Sequence, residues 1–295
     1  MNGITQPTKA TAGQMKQISR LAADAVEKVL TESDLNKDEL QLVIEDGDKF
    51  VRAIRDAASK TMTTLSIGYF SGYKPRSISE QIKRLRELFP SLGTADELIA
   101  DGALPLEAEG WFAIPRWEKV APHYDEAVQV VLKMLKATRR DIFQSRFKDD
   151  ELDSIHLRQA NRSVEAWGIL ANNQRESDII IIPAQFGLRH RRLSYHDARG
   201  NFVSGEFGLG AFAVGIMLLT HPERLMHRKD LGVNCAGDDH VSLPSTRLRG
   251  RNVTVFVFDD YERFDIGSMK FDIGDRDHYD YRRFGSASGF VTSCL

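Results

Sequence analysis

The run Gln185-Phe-Gly-Leu-Arg189-His190-Arg191-Arg192 follows, after Ala184, on the apolar segment 178–183 (DIIIIP). A guanidinium grips a phosphate or carboxylate through two parallel N–H bonds, and an imidazole can hold or move a proton near neutral pH. In open α/β sheets, groups just past the carboxyl end of a buried strand face the crevice where ligands bind. The segment therefore predicts an anion site built from Gln185, Arg189, His190, Arg191 and Arg192. Arg282 and Arg283, which open the tail RRFGSASGF, are expected to join it through stacking and backbone amides. A second outcome fits the same residues: a solvated basic loop whose arginines pair with acidic residues of the C-terminal segment.

Another constellation lies between residues 221 and 240. Cys235 has His221, His227 and His240 near it in sequence, with Asp238 and Asp239 beside it. His190 or His240 acting as base with Asp238 or Asp239 defines a hydrolase reading, with or without a divalent metal. Cys235, Asp238 and His240 lack the spacing of a known zinc set or nucleophile motif, so a buried structural thiol explains Cys235 better. No metal site and no cofactor is assigned.

Three further patterns have structural explanations beside them. Gly208-x-Gly210-x-x-Ala213 fits a relaxed dinucleotide fingerprint, but the preceding NFVSGEF is a poor buried strand and small residues also serve close helix packing. Asp34, Asn36, Asp38 and Glu45 copy oxygen ligands of a calcium loop, but Glu39 stands where the sharp turn needs glycine. Asn36 with Glu39 reads instead as a helix cap. Residues 79–89, with Lys83, Arg84 and Arg86, and the following TADELIADG outline a helix-turn-helix; the second helix carries acids where major-groove readout needs Arg, Lys or Asn.

The elements that must position these groups follow from periodicity. Met15, Ile18, Ala22, Ala25 and Val29 mark one helical stripe. Capping boxes at Ser77/Glu80 and Thr94/Glu97 start two short helices. A long helix begins near Pro122, carries Tyr124, Val128, Val131 and Leu135, and is expected to reach Phe143. Another uses Leu157, Ala160, Val164 and Trp167. DIIIIP is a central strand, residues 209–220 a core helix, and 252–258 with 263–273 a pair of adjacent strands.

With 295 residues and 42% apolar content the chain can build a real core, and a formal net charge of −2 means that any nucleic-acid affinity must come from a local patch. Two cysteines, Cys235 and Cys294, make no secreted disulfide framework. No stretch reaches the roughly 20 apolar residues of a membrane span. GWFAIPRWEKVAP, PAQFGLRHRR, EFGLGAFAVGIMLLTHPERLMH, NCAGDDH and RFGSASGF resemble a recurring, uncharacterised group of soluble bacterial proteins. The resemblance implies a bacterial source and a separable module of opening helices, and brings no activity with it.

The expected architecture is α+β: an N-terminal all-helical region, 1–150, followed by a C-terminal mixed α/β domain, 151–295, with a small central sheet. The expected function is a cytoplasmic binding protein for an anionic ligand, either a nucleic acid or a phosphorylated metabolite. The alternatives are the hydrolase and a non-enzymatic structural or interaction protein. No membrane partner is expected, and a homodimer through the Met15 to Val29 stripe is.

Overall fold

A computed structural model describes residues 12–33, 36–47, 50, 51, 54, 69–139, 142–145, 147, 152–241, 251–260, 267–274 and 283–291. The chain divides into two units, Met1–Thr61 and Met62–Leu295. In the first, α1 (Ala12–Glu32) precedes α2 (Lys37–Glu45). Asn36 caps α2 as its sequence demands: its side-chain oxygen accepts the Asp38 and Glu39 amides at 3.0 Å, and Glu39 returns a carboxylate to the Asn36 amide. That capping box occupies two of the residues in the calcium-loop pattern.

The second unit opens with α3 (Ile78–Leu88), whose Ser77/Glu80 capping box is formed. The second expected box is not. Thr94 instead donates its hydroxyl to the Glu176 carbonyl, and Asp96 caps a short 3-10 helix, Glu97–Asp101. Then come β1 (Gly110–Pro115), α4 (Tyr124–Arg139), β2 (Phe143–Ser145) and β3 (Leu157–Gln159). Strands therefore interrupt the stretch expected to be helical to residue 150. Phe143 and Leu157, expected in helices, lie in β2 and β3.

The remainder is α5 (Asn161–Asn173), β4 (Ile179–Gln185), α6 (Tyr195–Gly200), β5 (Glu206–Gly208), α7 (Ala211–Thr220), β6 (Gly232–Asn234), β7 (Asp238–Val241), β8 (Arg251–Asp260), β9 (Gly267–Gly274), β10 (Phe284–Ser286) and β11 (Ser288–Phe290). A four-stranded sheet runs β1-β4-β11-β5; a seven-stranded sheet runs β10-β6-β8-β7-β3, with β9 on β8 and β2 on β9. The fold is thus mixed α+β with two sheets. β9 pairs antiparallel along its whole length with residues 253–260 of β8, the adjacent strands expected from sequence.

DIIIIP supplies β4, buried at every residue and interior to its sheet. Both its neighbours are antiparallel, with Gly110 opposite Ala184 and Pro115 opposite Ile179. Among the described residues the basic run thus follows a strand with antiparallel strand neighbours, not the parallel strand of an open α/β sheet. Two glutamines complete the backbone pairing. The Gln81 amide donates to the Arg76 and Trp111 carbonyls and accepts the Ala113 amide, covering the free edge of β1. Gln174 does the same for Ile181 of β4. α7 is buried along its whole length, packs on α4 and β1, and fills the core with Ile216, Met217 and Leu218. Among the described residues no helix is long and apolar enough to cross a membrane.

Candidate functional site

The predicted anion ligands part company at the turn after β4. Gly187 makes that turn with φ +130°, and a side chain there would strike the Gly285 backbone at 2.8 Å, so only glycine fits. Gln185 is fully buried; its amide nitrogen donates to the Ser286 carbonyl and the Ser288 hydroxyl, and its oxygen accepts the Gly187 amide. Arg189 and His190 turn towards β5, where Glu206 is waiting. Glu206 Oε1 lies 2.6 Å from His190 Nε2, accepts Arg189 Nε at 3.1 Å, and accepts the Ser288 hydroxyl at 2.7 Å. Its Oε2 takes the Val203 amide. Burial opposes the charge on this carboxylate, but the bonds from His190 and Ser288 prevail and hold its pKa below the ordinary value. Arg189 also reaches Glu107 at 3.7 Å. Arg189 is thus paired with carboxylates, and His190 hydrogen-bonded to one, within the protein.

Arg191 goes the other way. Its guanidinium turns inward, with Nε and Nη1 shielded from solvent and without a hydrogen-bond partner, into electrostatic range of Tyr69. Burial, then the neighbouring Arg192, lowers its pKa. Arg192 is exposed, with a left-handed φ of 66° and its amide on the Phe284 carbonyl. Arg283 is exposed next to that carbonyl and donates to the Arg228 carbonyl. Arg282 lies outside the described residues, as does Cys294.

Tyr69 anchors groups that no spacing rule gathers. The Arg224 guanidinium lies 3.7 Å over the Tyr69 ring and 5.2 Å from that of Phe186, in a residue with no exposed surface. One nitrogen donates to the Leu231 carbonyl at 2.6 Å, while Nε and Nη1 have no partner. The Tyr69 hydroxyl donates to Glu109 Oε1 at 2.7 Å, and the Leu188 amide reaches the same oxygen at 3.4 Å. Glu109 Oε2 and the Tyr73 hydroxyl are buried and unpartnered. Burial raises the pKa of Glu109, opposed by the Tyr69 bond and by Arg224. Tyr69, Tyr73 and Phe186 stack edge to face around the cluster. By contrast the buried Arg139 is satisfied, with the Leu218 and Arg224 carbonyls each at 3.1 Å.

Both carboxyls of the hydrolase constellation are engaged by other groups of the protein. Asp238 Oδ2 accepts the Ala211 amide at 2.6 Å and Oδ1 accepts the Tyr124 hydroxyl at 2.7 Å, so the carboxyl caps α7 from outside it. Burial pushes its pKa up to about 7. A side chain at Gly210 would meet Asp238 at 2.1 Å, which shows what the glycines of the dinucleotide pattern accommodate here: the protein's own carboxyl. His240 packs its ring on Phe147 and His156 instead, and Asp239 pairs with Arg199 at 2.8 Å. Cys235 is fully buried and burial raises its pKa, which keeps the thiol protonated. Among the described residues no group of His, Cys, Asp and Glu is placed to hold a metal.

One small cavity, about 250 Å³, lies at the opposite end of β4 among Trp117, Tyr124, Trp167 and Phe212. Arg116 on its wall is committed to the Ala171, Gln174 and Ser177 carbonyls. No protein family, curated protein or solved structure matches the chain.

Proposed function

We propose that this chain binds an anionic ligand, a phosphorylated metabolite or a nucleic-acid phosphate, at the cluster around Tyr69. Arg191 and Arg224 grip it, and Arg192 and Arg283 lie on the surface beside Arg191. One observation carries this reading: four guanidinium nitrogens and the Tyr73 hydroxyl are buried donors with no acceptor. A buried charge without a partner costs on the order of several kcal/mol. Of the two guanidiniums, that of Arg224 acts on the carboxyl of Glu109, whose charge burial itself disfavours. An oxyanion offers acceptors on several sides and removes that cost. This narrows the basic-run expectation to Arg191, whose buried nitrogens lack acceptors, with the exposed Arg192 next to it, and adds Arg224.

Titration calorimetry with inorganic phosphate and with a single-stranded oligonucleotide, at about 50 and 200 mM salt, tests it. Binding is expected to weaken with salt, steeply so if a polyanion is the ligand, and to vanish in Arg191→Met and Arg224→Met. Absence of binding by either probe at the lower salt refutes the reading.

A further inference from the structure

We infer that the anion held at this cluster is one that keeps a proton of its own, inorganic hydrogen phosphate rather than sulfate or a carboxylate, and that Glu109 Oε2 is the atom that selects it. The inference rests on the anion-binding reading and deepens it. It starts from which bonds the cluster leaves open. Arg191 Nε and Nη1, Arg224 Nε and Nη1, and the Tyr73 hydroxyl want acceptors, which any oxyanion supplies. Glu109 Oε2 wants a donor. Its twin, Oε1, already takes the Tyr69 hydroxyl and the Leu188 amide.

Two buried acceptors facing each other with no hydrogen between them repel, so one proton must sit between Glu109 Oε2 and the ligand oxygen. Hydrogen phosphate brings that proton as P–O–H. Sulfate and carboxylates carry none at neutral pH, so Glu109 must itself carry it. The groups that bias this proton are few and named. Tyr69 and Tyr73 face Glu109 from the segment before α3, and Arg224 faces it from the segment after α7. Glu223 is tied to Arg76 at 2.7 Å, and Arg189 to Glu206 and Glu107, which removes them as competitors. Arg191 comes within electrostatic range of Tyr69 from the turn after β4.

The test compares inorganic phosphate with sulfate, two tetrahedral anions of nearly equal size, by calorimetry at about pH 8, where phosphate monoesters have lost their second proton. Phosphate is expected to bind about 100-fold more tightly than sulfate, the scale on which a site built for a ligand hydroxyl rejects an analogue without it. A phosphate monoester at that pH is expected to follow sulfate. In Glu109→Gln, whose amide can donate, the two anions are expected to bind within about three-fold of each other.

A second measurement needs no variant. In buffers of different ionisation heat, sulfate binding by the native chain is expected to take up one proton more than phosphate binding. Equal affinities for phosphate and sulfate, or equal proton uptake, overturn the inference while leaving an anion site. No binding of either overturns the anion site itself.

Discussion

Two clusters lie on opposite sides of one turn and are built from the same residue types, yet they are in opposite conditions. Around Glu206, Arg189, His190, Ser288 and the Val203 amide supply every donor that the carboxylate can use. Around Tyr69, Arg224 and Arg191 each keep two buried nitrogens without an acceptor, and Glu109 keeps a bare oxygen. The turn deals consecutive basic residues to the two sides: 189 and 190 to the first, 191 to the second. A count of positive charges in a sequence segment therefore says little about binding. What matters is whether the fold already holds the counter-charge, because a closed network is structural and an open one is available to a ligand.

The sharpest way to break the comparison is to open the closed side. Glu206→Ala is expected to cost about 3–5 kcal/mol in denaturant unfolding, since it leaves buried His190 without its partner and half-buried Arg189 with Glu107 alone at 3.7 Å. A loss under about 1 kcal/mol would mean that this network is no tighter than its neighbour.

Next in size is the contrast between two arginine replacements. Arg189→Met is expected to cost about 2–3 kcal/mol, whereas Arg224→Met without ligand is expected to cost about 1 kcal/mol or less. Removing Arg224 deletes one carbonyl bond and the stacking on Tyr69 but also an incompletely paired charge. Ser288→Ala, which takes one bond from Glu206, is expected to cost about 1 kcal/mol.

The pH dependences should have opposite signs and be the subtlest. Glu206 has a lowered pKa, so its stabilisation is present above the unfolded value and is lost as pH falls through the folded one. Glu109 has a raised pKa, so its contribution is fully present below the unfolded value and declines as pH rises through the folded one. Unfolding free energies of Glu206→Gln and Glu109→Gln across about pH 3 to 8 should each remove one limb of the native profile. Asp238 belongs to the second type, declining between its ordinary range and about 7, so Asp238→Asn serves as the control for that limb.

Much of the scaffold was legible from local pattern. DIIIIP announced an interior strand because a β-branched apolar run has nowhere else to go, and Asn36/Glu39 and Ser77/Glu80 announced their caps through reciprocal side-chain bonds. β1 was missed because the glycine and prolines around GWFAIP look like punctuation, although Gln81, not a neighbouring strand, satisfies its outer edge. Thr94 was read as a cap from spacing alone, but tertiary contact with the Glu176 carbonyl claimed its hydroxyl. Arg191 was within reach of sequence reading. Tyr69, Tyr73, Glu109 and Arg224 were not, since their only local signals are two tyrosines in YFSGY and an arginine in the apolar HPERLMH. Long-range topology gathers them.

β11 pairs with both β4 and β5, while β10, one residue earlier, pairs with β6 in the other sheet. Both sheets therefore wait on residues 284–290. During synthesis on the ribosome, β4 and β5 emerge roughly 80 to 100 residues before β11, and until then β4 has only β1 as a strand partner, an interval over which its open, largely apolar edge invites wrong partners. A nascent chain of this protein should lean on chaperones until that short piece emerges, and its folding should be timed by the last strand to arrive.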